Sequence, residues 1–108
     1  MDKNYALKAA ASFSKALAEH GVHAHRIILF GSYAKGLQHD GSDIDIAVIS
    51  DDFIGMDYWE RIDVMSKAIY DVFEPIEAVA FTTEEWESGN SIICEYARDG
   101  VSIPLKAA

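Results

Sequence analysis

Apolar positions along this chain change their period several times, and each change marks an element. From Asn4 to His20, Tyr5, Ala9, Phe13, Ala16 and Leu17 recur at helical spacing. The pattern predicts a helix capped by Asn4 and closed by Gly21, with alanines suited to close packing on a sheet. Ile27–Phe30 is an unbroken apolar run, read as a first strand. A short helical turn then runs from Gly31-Ser32 to Gly36, followed by turn residues Gln38-His39-Asp40-Gly41. The next apolar run opens with Asp43-Ile44-Asp45 and continues through Ile46, Ala47, Val48 and Ile49. Apolar residues on both faces beyond Asp45 indicate a central strand covered on each side.

The second half of the chain repeats this alternation of periods. Phe53 to Met56 form an apolar patch in a loop position, which reads as packing under the sheet or, alternatively, as lining a base or partner pocket. Asp57 to Phe73 carries the strongest helical pattern: a capping-box start at Asp57 and Glu60, and a stripe of Tyr58, Ile62, Met65, Ile69 and Val72. Trp59 falls off that stripe and reads as an interface residue. Glu74-Pro75 stops the helix and launches a third strand, Ile76–Phe81, in which Glu77 interrupts an otherwise apolar run. A carboxylate inside a buried strand needs a partner. Thr82 and Glu85 form another capping box, opening a short helix that includes Trp86. Asn90 to Asp99 is the last expected helix, with core pairs Ile92/Tyr96 and Ile93/Ala97 and a small buried Cys94. Val101–Pro104 reads as a short edge strand, where proline is tolerated.

Composition narrows the classes of function. The 108 residues suffice for one core, so residues 1–108 are expected to form a single domain. No apolar run reaches the ~20 residues of a membrane helix, and Met1-Asp2-Lys3-Asn4 lacks a signal-peptide layout. One cysteine excludes an internal disulfide and fits a reducing compartment, so a cytoplasmic location is expected. The net charge is −9, with 18 acidic against 9 basic residues and no Lys/Arg cluster. Binders of long nucleic acids advertise a basic face, which disfavours that class here. A small-molecule or protein acceptor suits the charge better.

Chemistry concentrates between Leu29 and Ile49. Asp43 and Asp45, two apart on a strand, point the same way and can share divalent metal ions. Gly31 permits close approach of backbone to a ligand, and the helical turn beginning there offers N–H groups to an anion. Ser32 can add a hydroxyl and an N–H toward a triphosphate. Lys35 reads equally well as a phosphate contact or a solvated charge, and Ser42 as a loop tie or a phosphate contact. An EF-hand is rejected because Ala47 and Val48 stand where its further ligands and glycine belong. His20, His23 and His25 crowd one junction, but without cysteine they read as a solvated polar link.

The pattern G-S-x3-G-x5-S-D-I-D, formed by Gly31-Ser32, Gly36 and Ser42-Asp43-Ile44-Asp45, resembles the defining motif of the DNA polymerase beta-like nucleotidyltransferase superfamily. It is most similar to the small members called minimal nucleotidyltransferases (MNT). The resemblance implies an α/β fold (α+β by some schemes), a small mixed central sheet flanked by helices. It implies Mg2+, with Mn2+ as a substitute, and a nucleoside triphosphate substrate, foremost ATP. Catalytic and metal-ligating roles would fall on Asp43, Asp45 and Glu77. Gly31, Ser32, Lys35 and Ser42 would bind nucleotide. Glu77 stands where relatives more often carry Asp, on the strand beside the D-x-D strand, and Glu74 is the fallback. Minimal nucleotidyltransferases that look like this are often paired with a small helical HEPN toxin and act as its antitoxin by transferring AMP to it. A HEPN-type partner is therefore implied, and a homo-oligomer is compatible. Two rival readings stand: a non-catalytic, nucleotide-binding antitoxin that masks its partner, and a nucleotide sensor that changes assembly state.

Overall fold

The computed structural model describes residues 2–39, 41–89 and 91–105. It contains a four-stranded mixed sheet with five α-helices, an α/β arrangement. In chain order these are α1 (Lys3–Glu19), β1 (Arg26–Phe30), α2 (Gly31–Lys35), β2 (Ile44–Ile49), α3 (Tyr58–Val72), β3 (Ile76–Phe81), α4 (Thr83–Ser88), α5 (Ile92–Arg98) and β4 (Val101–Ser102). The sheet order is β3-β2-β1-β4. β1 lies antiparallel to β2 and β4, whereas β2 and β3 run parallel, joined through α3 as a parallel pair requires. Among the described residues, no helix is long and apolar enough to cross a membrane.

Strand alternation sorts side chains into two cores. On one face Ile27, Leu29, Ile44, Ile46, Val48 and Ile76 pack under α1 and α3, which contribute Phe13, Leu17, Met65 and Ala68. Of the patch Phe53–Met56, Phe53 tucks into this core and Met56 packs against it, whereas Ile54 is exposed. The opposite face is smaller: Ile28, Ala47, Ile49 and Phe81 are covered by Trp86 of α4 and by Cys94 and Ala97 of α5. Two short helices cannot cover a whole sheet face. The uncovered end is where the site lies.

Several expectations need correction. The cap of α1 is Asp2, whose side chain accepts from Tyr5 N, so the helix begins before Asn4. Tyr58 lies exposed at the start of α3, and of the expected stripe Met65 is buried while Ile62, Ile69 and Val72 are half-buried; Trp59, off the stripe, is exposed. In α5, Cys94 and Ala97 face the sheet, which turns Ile92 (73 % exposed) and Tyr96 (64 %) outward rather than into a core. The expected start of that helix, Asn90, lies outside the described residues, as does Asp40 of the turn. Both capping boxes, Asp57 with Glu60 and Thr82 with Glu85, are formed as expected. After β2, Asp51 accepts from Thr83 N, and Asp52 accepts from His23 N at 2.8 Å.

Candidate active site

The end of β1 and the start of β2 converge on Gly31. Phe30 closes β1 opposite Asp45, and Gly31 opens α2 with φ +73°, a left-handed conformation that favours glycine. A Cβ at Gly31 would lie only 3.0 Å from the Asp45 carboxylate carbon, and nearer still to its Oδ2. The glycine is therefore required twice, for its backbone angle and for the carboxylate resting against it. Gly36 then ends α2, also left-handed, at φ +72°. No side chain caps the first turn of α2.

Across the sheet, Asp45 pairs in register with Glu77 on β3, so Phe30, Asp45 and Glu77 form one row. Neighbours in register share a face. This row belongs to the face covered farther along by α4 and α5; Phe30 packs against that core, while Glu77 at the other end of the row lies open. Phe30 and Asp45 are half-buried, while Glu77 and Asp43 are exposed. Asp43 immediately precedes β2. The expectation of a buried Glu77 is thus corrected: β3 is an edge strand, and its acid stands at the open mouth of the sheet.

Burial, then the charge of Glu77, then that of Asp43, push the Asp45 carboxyl up to about 6. Partial desolvation disfavours its anion, and two neighbouring carboxylates repel it. A cation at this row would relieve both effects. The donors are hard oxygens, which suits magnesium or manganese. Among the described residues, however, no three His, Cys, Asp or Glu side chains are gathered so as to hold a metal ion. Asp43 and Asp45 fit the kind of site in which one or two carboxylates serve and substrate phosphates complete the coordination.

The nucleotidyltransferase domain model matches residues 11–93, most of the chain and all of this site. The chain belongs to the nucleotidyltransferase domain family. A search of curated proteins returned no match. Among solved structures, a candidate nucleotidyltransferase from Sulfolobus solfataricus aligns at a TM-score of 0.69 and 22 % identity, over 93 % of this chain and 80 % of that one. A toxin–antitoxin structure with AMP-PNP aligns at 0.64 and 25 % identity, over 98 % and 75 % of the two chains. The toxin–antitoxin MntA–HpeT, in a mutant form with two Asp-to-Glu changes, aligns at 0.62 and 23 %, also over 98 % and 75 %. The resemblance to minimal nucleotidyltransferases is matched by these neighbours.

Within this nucleotidyltransferase domain the remaining candidate residues separate clearly. Ser42 is buried, and its hydroxyl accepts from His39 N at 2.9 Å, so in this structure it ties the loop before the acid pair. Ser32 sits half-buried in the first turn of α2, whereas Lys35 is exposed at the far end of that helix. Glu74, the fallback acid, is engaged elsewhere: Tyr5 O–H donates to its carboxylate, and this bond is the largest cause raising the Tyr5 hydroxyl to about 12. The three histidines each face an aspartate, His20 with Asp71, His23 with Asp52 and His25 with Asp51. They hold a junction together, in keeping with a polar link. What the sequence pattern missed is Phe30 in the row with Asp45, and the exposure of Tyr58 and Ile93 near Glu77. Both were hidden inside apolar periodicities that read as core.

Proposed function

We propose that this single domain is a metal-dependent nucleotidyltransferase that moves AMP from ATP to a hydroxyl on a partner protein of the HEPN toxin kind, and so acts as its antitoxin. The observation that carries the reading is the fit of the Asp45 carboxylate against Gly31, which joins the D-x-D strand to the glycine-serine turn in one site. The MNT resemblance and the toxin–antitoxin neighbours support the partner, and the AMP-PNP complex of one neighbour supports ATP. In MntA–HpeT the two altered aspartates are two positions apart, the same spacing as Asp43 and Asp45.

Asp43 and Asp45 would hold magnesium, with manganese as a substitute. The ion, when bound, supplies charge neutralisation on the phosphates and acidity at the acceptor oxygen. Gly31 and Ser32 position the β- and γ-phosphates, with Lys35 as a supporting contact, while Ser42 holds the loop before the acid pair in place. Glu77, exposed beside Asp45, accepts the proton of the attacking hydroxyl. The bond formed joins acceptor oxygen to the α-phosphorus, the α–β phosphoanhydride breaks, and pyrophosphate leaves. Positioning and electrostatics account for most of the acceleration in chemistry of this type.

A second reading, a nucleotide-binding antitoxin that only masks its partner, draws support from the lack of a three-acid metal cluster among the described residues. Co-expression with the toxin separates the two. Catalytic neutralisation predicts that Asp43→Asn with Asp45→Asn abolishes protection while the protein still folds. Protection retained by that variant would establish masking.

A further inference from the structure

Resting on the nucleotidyl-transfer reading, we propose that the acceptor reaches the site as an extended segment of the partner protein, added as a fifth strand along the free edge of β3. A groove of about 550 Å3 runs along this edge. Four consecutive residues of β3, Glu77, Ala78, Val79 and Ala80, line it. Consecutive strand residues alternate between the two faces, so a groove touching all four follows the strand's edge rather than either face. Among the described residues, β3 pairs with β2 alone, so its other side presents unpaired ladder groups.

Native proteins blunt such edges with lysine, proline, bulges or a covering element. Here the edge is Ala78-Val79-Ala80, with Pro75 before the strand and Glu77 as its one charge. Apolar side chains stand on both walls, Tyr58 and Ile62 from α3 on one side and Ile93 from α5 on the other. Tyr58 is 67 % exposed, although it lies at the start of an otherwise well-patterned helix. Backbone pairing on an open edge with flanking side-chain pockets is the physics of strand addition.

The groove also indicates its occupant. Side chains of an added strand would alternate, one set against Tyr58 and Ile62, the other toward Ile93 and, at the β3 start, toward Glu77 and the row with Asp45. A hydroxyl in the second set arrives beside the proposed base. Arg61 and Glu85 line the groove as an ion pair at 2.7 Å, so Glu77 supplies its excess charge, and the chain carries a net charge of −9. The segment is accordingly basic and apolar in alternation. A second copy of this chain, equally acidic, would be repelled.

The test uses the full chain without nucleotide and three synthetic peptides. These are Arg-Val-Tyr-Val-Arg-Val, the same peptide N-methylated at alternate amides, and its Glu-for-Arg analogue. The first should bind and slow amide hydrogen exchange in Ala78–Ala80. N-methylation, the acidic swap and the Ile93→Lys variant should each weaken binding at least tenfold. Ile93→Lys should bind Mn-ATP as the parent does. Absence of binding, indifference to N-methylation, or β3 protection that grows only with self-association would overturn the proposal. Competitive displacement by Mn-ATP would also overturn it, giving the groove to the nucleotide. If the nucleotidyl-transfer reading itself fails, Mn-ATP binding is lost or indifferent to Asp43 and Asp45, a result independent of the peptide arm.

Discussion

Replacing Gly31 with alanine tests the contact on which the site depends. Alanine at φ +73° carries a left-handed penalty of about 1 kcal/mol. The new Cβ would also stand 3.0 Å from the Asp45 carboxylate carbon and 3.3 Å from its Cβ, with Oδ2 closer still. Relief requires Asp45 to leave its rotamer, at a further cost of about 1 kcal/mol. The single variant should therefore lose roughly 2 kcal/mol, read as a lower urea midpoint with unchanged slope. In an Asp45→Ala background the carboxylate is gone and only the backbone penalty of about 1 kcal/mol remains. The double-mutant cycle should then return a coupling of about 1 kcal/mol. Gly31→Ala should also weaken Mn2+-nucleotide binding, because the carboxylate is displaced. Additive losses with unchanged Mn2+-nucleotide binding would show that Gly31 and Asp45 are not in this contact.

Other consequences are open to simple measurements. Phe73 ends α3 at φ +59° while 86 % exposed, so Phe73→Gly should raise stability by about 1 kcal/mol; a lower melting temperature would refute this. Thr82→Ala removes a buried hydroxyl that caps α4 through Glu85 N and should cost about 1 kcal/mol in urea melts; no loss would mean that the cap is idle. The pH dependence of the metal-free protein has two limbs of opposite sign. Asp45 is raised to about 6 from an ordinary value of 3.8, so the native state binds the extra proton between those values, and stability should increase as pH falls from 7 to 5. Discounted for solvent screening at this partly exposed position, the gain is about 1 kcal/mol, and Asp45→Asn should abolish it. Asp51, Asp52 and Glu85 are instead held below their ordinary values, Asp51 by Thr83 N–H, Asp52 by His23 N–H and Glu85 by Arg61 and the Thr82 cap, against the opposing effect of its burial. The stability they contribute is present above their unfolded values and lost as pH falls through the folded ones, so unfolding should set in below about pH 4. A monotonic curve from pH 7 to 3 would contradict the Asp45 limb.

Much of the fold was legible because its elements rest on local signals. β3 occupies the expected residues, and α3 and α4 begin at the expected capping boxes, since caps and periodicity act within a few residues. Local signals also explain the errors. Asp2 and Asn4 are both good caps two positions apart, and Asp2, whose side chain accepts from Tyr5 N, starts the helix. Pairs at i and i+4 identify a helix face without saying which face is covered. In α5 the face with Cys94 and Ala97 won, leaving Ile92 and Tyr96 outside. The D-x-D pair and the glycine-serine turn were legible as motifs. Their meeting at Gly31 was not, because it depends on how β1 and β2 pair across a fourteen-residue separation between Gly31 and Asp45. Strand order likewise decided that Glu77 stands on an open edge.

The most direct test of the account incubates the chain, Mg2+ and the toxin partner in parallel with α-labelled and γ-labelled ATP. Nucleotidyl transfer predicts α label fixed on a hydroxyl of the partner and γ label recovered in pyrophosphate, both abolished by Asp43→Asn with Asp45→Asn. No label on the partner and no pyrophosphate, despite measurable Mg-ATP binding, would contradict nucleotidyl transfer and leave this domain a nucleotide-binding mask.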